Sequence, residues 1–121
     1  MQKLKELTNL IVDSIDDTGH EIVIKTQCDR TFVLYHDQDC CESVYIYDTK
    51  GNLNDLVGKQ LKEVDWHYPE LSDTDLDEPC DSYTLTDIVF ITDDMTVISR
   101  WIGESNGYYS ESVDLKEIIE N

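Results

Sequence analysis

Tyr83-Thr-Leu-Thr-Asp-Ile-Val-Phe-Ile-Thr92, then Asp93-Asp94-Met95, then Thr96-Val-Ile-Ser-Arg-Trp101 is the stretch on which the fold turns. Two runs rich in β-branched and aromatic residues flank a short polar connection. That pattern reads as a β-hairpin. Upstream, Glu21–Lys25, Thr31–His36 and Ser43–Asp48 have the same β-branched and aromatic character, with Cys28-Asp29-Arg30 as a turn and Lys50-Gly51-Asn52 closing the third run. Leu61–Tyr68 reads as extended and carries Trp66 and Tyr68.

Two segments read as helical. Leu4, Leu7, Leu10 and Ile11 recur at helical spacing within residues 3–12, ahead of a turn at Asp16-Asp17-Thr18-Gly19. Leu53, Leu56 and Val57 before Gly58 suggest one further helical turn. Residues 69–81 hold six acidic residues, with a proline near each end, and read as a solvated loop. Gly103–Glu111 reads as a glycine-bearing loop, and Ser112–Ile119 as a strand or short helix. The expectation is an α+β fold: an antiparallel β-sheet of about six strands with one or two short helices, in a single small domain over residues 1–121.

The chain has 121 residues, 27 of them acidic and 9 basic, for a formal net charge of −18. This excludes a DNA or RNA polymer as a natural partner, because polyanion binding rests on basic residues that displace counterions. Anionic membrane surfaces are disfavoured for the same reason. A small anion in a local pocket stays compatible, since a distant field is screened over about 10 Å. No apolar run approaches the roughly 20 residues that span a bilayer. The N-terminal residues do not form a signal peptide, so the four cysteines are expected to be reduced in a cytoplasm.

Two clusters could carry chemistry. The first is His36-Asp37-Gln38-Asp39-Cys40-Cys41-Glu42. Zinc binding, completed by Cys28 or Cys80, fits poorly, because adjacent cysteines in a strand point to opposite faces. A His36–Cys40 nucleophilic pair lacks an orienting third group. On spacing alone a polar turn between strands is the better reading, so no metal, cofactor or disulfide is expected. The second cluster is Arg100-Trp-Ile-Gly-Glu-Ser-Asn-Gly-Tyr-Tyr-Ser110. Arginine can fork onto a phosphate, aromatic faces can stack on a purine, and glycines let backbone N–H groups approach an anion. A hairpin exit with Asn106-Gly107 as its turn explains the same residues equally well.

Taken together, Gln38-Asp39-Cys40-Cys41-Glu42 through Gly58 and Gly103-Glu-Ser-Asn-Gly-Tyr-Tyr-Ser110 resemble the phage anti-defence sponge family directed against the Thoeris system, of the Tad-one type. The resemblance implies a non-enzymatic protein. It would bind glycocyclic ADP-ribose, the signal of the Thoeris TIR enzyme, without cleaving it, and so keep the NADase effector inactive in the host bacterial cytoplasm. It also implies homodimers that associate into hexamers, and cyclic di- or trinucleotides as further ligands. On that footing Arg100 would meet the pyrophosphate and Phe90, on the facing strand, would stack on the adenine. Ser105, Asn106, Gly107 and Tyr108 would line ribose or phosphate, and Gln38 and Asp39 are placed at the site by the resemblance alone. Two readings of other classes stand beside it: an enzyme, either one that degrades cyclic nucleotides or a thiol- or zinc-dependent one using His36, Cys40 and Cys41, and an acidic DNA mimic that blocks a basic protein.

Overall fold

A computed structural model describes residues 2–36, 42–70, 82–105 and 113–118. The strands are β1 (Val12–Asp17), β2 (Ile22–Thr26), β3 (Thr31–Tyr35), β4 (Glu42–Lys50), β5 (Glu63–His67), β6 (Ser82–Ile91), β7 (Thr96–Ser105) and β8 (Asp114–Ile118). They form two four-stranded sheets, ordered β1-β2-β3-β8 and β4-β7-β6-β5. Every pairing is antiparallel.

The expected α+β class is therefore corrected to a nearly all-β architecture. The described residues contain no α-helix, only short 3-10 turns at Gln2–Leu7 and Leu53–Leu56. The first was read as part of an amphipathic helix over residues 3–12. The helical face is real up to a point, since Leu4 and Leu7 are fully buried. The helix stops because Asn9 enters the left-handed region at φ 72° and the chain pairs with a distant segment. The Asn9 N–H donates to the Leu61 carbonyl at 2.7 Å, and the Leu61 N–H donates to the Leu10 carbonyl at 2.9 Å. Long-range backbone pairing thus overrides local periodicity, and β-branched Val12 begins a strand. None of the helical segments is long and apolar enough to cross a membrane.

The expected turns are present. At Asp17-Thr18-Gly19, Gly19 takes φ 92°, and the Asp17 carboxylate accepts its N–H at 2.7 Å. At the hairpin tip the Thr92 N–H donates to the Met95 carbonyl at 2.9 Å. One expected loop is partly a strand, since β7 continues through Gly103 to Ser105, with Gly103 flanked by Val44 and Thr84. The C-terminal segment, read as strand or helix, is strand β8.

The core lies between the two sheets. Ile22, Ile24, Phe32, Leu34 and Leu115 of the first sheet share one apolar cluster with Val44, Val64, Ile88, Phe90, Val97 and Trp101 of the second. The turn Gln2–Leu7 packs against β5 of one sheet and β8 of the other, and Leu4 and Leu7 join the same cluster. A backbone bond from the Ile46 N–H to the Gly19 carbonyl, 2.8 Å, ties β4 to the β1–β2 turn. Near the rim of the first sheet, Arg30 donates to both Glu117 carboxylate oxygens at 2.9 Å and lies 4.8 Å above the Phe32 ring.

Phe90 is fully buried, so Phe90→Ala should cost about 3–5 kcal/mol in urea unfolding; a loss below about 1 kcal/mol would mean that the site collapses freely. The Arg30 guanidinium holds the Glu117 carboxyl below the ordinary glutamate value. Its stabilising contribution is thus present above the unfolded pKa and fades as pH falls through the folded one. Glu117→Gln should therefore lower the melting temperature at neutral pH and leave it nearly unchanged in strong acid.

Candidate functional site

The ten-pair register of β6 and β7, from Ser82 opposite Ser105 to Ile91 opposite Thr96, sorts their side chains between two faces. Direct cross-strand partners share a face, and side chains alternate along each strand. Phe90 opposite Val97, Ile88 opposite Ser99 and Thr86 opposite Trp101 point into the core. Asp87 opposite Arg100 and Leu85 opposite Ile102 point the other way.

That second face carries a polar row across all four strands. His67 on β5 stands opposite Asp87 on β6, Asp87 opposite Arg100 on β7, and Arg100 opposite Asp48 on β4. Asp87 is the hub. Arg100 Nε donates to its carboxylate oxygens at 3.2 and 3.3 Å, and Nη2 donates to Oδ2 at 3.3 Å. His67 Nε2 lies 3.1 Å from the same Oδ2. Side-chain exposure is 1% for Asp87, 12% for Arg100 and 54% for His67, so the row runs from a desolvated centre to a wet rim. Burial works against the charge on Arg100, but the hydrogen bonds and charge of Asp87 more than restore it, and the guanidinium is held above its ordinary pKa. Leu85 and Ile102, 5% and 2% exposed, give this face an apolar floor beside the charges.

Tyr47 follows core-facing Ile46 and so points to the face of the row, and an irregularity then brings Asp48 to that face as well. The β4–β7 register shifts between Ile46 and Asp48: Ile46 stands opposite Trp101 and Asp48 opposite Arg100, leaving Tyr47 as the extra residue. Such a bulge re-aims a side chain and sharpens the local twist. Tyr47 feels the charges of Arg100, Asp87 and Asp48, which places its phenol at the hub. Its hydroxyl oxygen is buried and makes no hydrogen bond.

Of the residues expected at the site, Arg100 lies in this row. Phe90 lies on the opposite face of the same sheet, wholly within the core, so the structure does not bring the two together. Ser105 ends β7, opposite Ser82 and Glu42. Gln38, Asp39, Asn106, Gly107 and Tyr108 fall outside the described residues, as do Cys40, Cys41 and Cys80. His36 is nearly buried, and Cys28 is exposed with its sulfur 3.2 Å from the Thr26 hydroxyl. Sequence reading passed over Asp87, His67 and Tyr47. Asp87 had a signal, as a lone carboxylate inside an otherwise uncharged strand. Tyr47 had one in the alternation of Val44-Tyr45-Ile46-Tyr47, which sets both tyrosines on the face opposite the core; Asp48 had none, because a bulge leaves no mark in a period-two pattern.

The arrangement can hold a planar cation rigidly in a low-dielectric setting, next to a neutral phenol and an imidazole. The first two suit anion binding; an imidazole 3.1 Å from a carboxylate oxygen also suits proton transfer. A family model described as a domain of unknown function (DUF7448) matches residues 5–115, and the chain belongs to that family. No curated protein and no solved structure matches the chain.

Removing one partner of a buried ion pair leaves the other charge stranded, at a cost of about 3–5 kcal/mol. Asp87→Ala should therefore destabilise the domain by that order in urea unfolding. The double change Asp87→Leu with Arg100→Met should recover most of the loss, because a packed apolar pair can replace a buried ion pair. If the single variant loses under about 1 kcal/mol, the pair is solvated and the hub is not a low-dielectric site.

Proposed function

We propose that this DUF7448 domain is a non-catalytic sequestering protein: a phage anti-defence sponge that binds glycocyclic ADP-ribose in the host bacterial cytoplasm, leaves it intact, and so keeps the NADase effector of the Thoeris system inactive. The observation that carries the reading is the Arg100–Asp87 pair, placed on the sheet face away from the shared core with only 12% and 1% side-chain exposure. A buried ion pair is weak as a device for stability, since the desolvation penalty offsets much of the Coulombic gain. As a device for binding it is strong. Asp87 fixes the plane of the guanidinium before the ligand arrives, so little rotamer entropy is lost when a pyrophosphate docks.

The remaining parts of the site belong to the same proposal. Arg100 takes the pyrophosphate. Ser105, Asn106, Gly107 and Tyr108 follow it in sequence and supply hydroxyl, amide and backbone contacts to ribose or phosphate, and Gln38 and Asp39 are further contacts suggested by the sequence resemblance. No cofactor is needed, because sequestration makes and breaks no bond. A sponge must release slowly, which favours enclosure between subunits over an open surface. We therefore take the working unit as a homodimer or a hexamer built from three such dimers, with Tyr68 and Tyr83, 63% and 37% exposed, available to an interface. Cyclic di- and trinucleotides are included as further ligands. The charge of −18 keeps an abundant binder soluble.

The decisive experiment is recovery of the ligand. Protein is incubated with glycocyclic ADP-ribose and heat-denatured, and the supernatant is chromatographed. Intact ligand in stoichiometric yield is expected; its loss would replace the sponge with a cyclic-nucleotide-degrading enzyme. In parallel, Arg100→Lys keeps the charge but removes the fork, and should weaken binding at least about tenfold by calorimetry, the equivalent of roughly 1.4 kcal/mol. Light scattering should show a particle larger than one chain of 14.0 kDa at micromolar concentration.

A further inference from the structure

Three buried side-chain polar atoms among the described residues have no hydrogen-bond partner: Ser99 Oγ, Trp101 Nε1 and Tyr47 Oη. Ser99 and Trp101 stand on the core face of β7, opposite Ile88 and Thr86, where a ligand could reach them only by parting the sheets. Tyr47 is different. Alternation from core-facing Ile46 puts it on the face that carries Asp87 and Arg100, and the bulge after it brings Asp48 onto the same face. An unpartnered buried hydroxyl is expensive, because its desolvation is not offset by any bond. Phenylalanine would fill the same volume without that penalty. The hydroxyl therefore has a use that the ligand-free fold does not reveal.

We infer that Tyr47 is a specificity-determining residue, whose buried hydroxyl donates a hydrogen bond to a phosphate oxygen of the ligand that Arg100 engages; this rests on the binding function proposed above. The surroundings decide the direction of the bond. Burial pushes the phenol pKa up and the charges of Asp87 and Asp48 push the same way, so with only Arg100 opposing them the group stays protonated and offers its O–H. The partner follows from the pyrophosphate proposed for Arg100: a phosphate oxygen engaged by the guanidinium would take a second donor from the phenol on the same face. A hydroxyl that has no other partner discriminates sharply. A ligand without an acceptor at that place leaves it unsatisfied, while a ligand with one gains a charge-assisted bond in a dry setting. Adding a neutral donor also avoids the like-charge crowding that a second cation beside Arg100 would bring.

The test is Tyr47→Phe, read in two ways. Without ligand, the variant should melt at least as high as the parent, by about 4 °C if the hydroxyl's desolvation is fully relieved. With ligand, its affinity for glycocyclic ADP-ribose and for ADP-ribose should fall at least about tenfold. Affinity for adenosine, which has no phosphate, should be the same in parent and variant. A structural hydroxyl gives the opposite pattern: a lower melting temperature, or failure to fold, overturns the inference. So does a variant that binds both phosphate ligands as the parent does. If the parent binds inorganic pyrophosphate but not glycocyclic ADP-ribose, the proposed signal is wrong, and the pyrophosphate affinities of parent and variant still judge Tyr47. If the parent binds none of these ligands, both proposals fall.

Discussion

The uninterrupted register between β6 and β7 is the constraint from which the rest follows. Ten consecutive pairs fix which side chains share a face. A slip of one residue would send Phe90, Ile88 and Trp101 outward and bring Asp87 and Arg100 into the core. The apolar face enforces the register from one side, because Phe90 and Ile88 are fully buried and Trp101 is 1% exposed. The charged face enforces it from the other, because Asp87 meets both His67 and Arg100 only when all three strands are aligned. Packing and electrostatics thus specify the same pairing, which is the consistency across levels expected of a well-determined fold. The hairpin tip closes the lever: Lys59 donates to Asp94 at 2.9 Å, and Thr92 bonds the same carboxylate at 3.0 Å.

Much of this was legible in the sequence. The strands over 21–25, 31–36, 43–48 and 83–101, and the turns at Asp17–Gly19 and Asp93–Met95, follow from β-branched runs and turn residues. The N-terminal segment was not. Leu4 and Leu7 fit a helical stripe, yet neither pattern nor propensity records that Leu61 waits to pair with residues 9 and 10. The number of sheets was equally hidden. Local patterning shows that a strand has an apolar face, but which strands share a sheet depends on non-local pairing, as when β8 crosses to β3 rather than joining β7.

The candidate site shows the same division. Arg100 stood out because arginine is scarce in this chain, with only Arg30 besides. Its partner did not, because the acid it selects is one of 27. Phe90 was expected at the site with Arg100 because it lies on the facing strand of the same hairpin. The register confirms Phe90 opposite Val97, but Arg100 lies three residues beyond Val97, and an odd separation changes face. Asp87 lies three residues before Phe90 and changes face in the same way, which is why Arg100 finds it.

The local charge balance constrains how an anion could be held on this face. Arg100 is bracketed by Asp87 and Asp48 on neighbouring strands, so these three groups carry one positive and two negative charges. The wider chain adds a net −18, screened beyond about 10 Å. Net charge therefore opposes anion binding at both ranges, and a mobile arginine would simply close onto the nearest carboxylate. What remains favourable is direction. A guanidinium locked through Nε and Nη2 has a fixed plane, and a phenol set on the same face by strand alternation has a fixed position. Beside a desolvated ion pair, oriented donors act at full strength over 3 Å, whereas Asp87, paired with Arg100, and Asp48, paired with Lys50 at 3.4 Å, act as dipoles and weaken faster with distance. Recognition of an anion on this face would belong to geometry more than to charge, which is how a strongly acidic protein could take the phosphate-bearing ligand proposed for it.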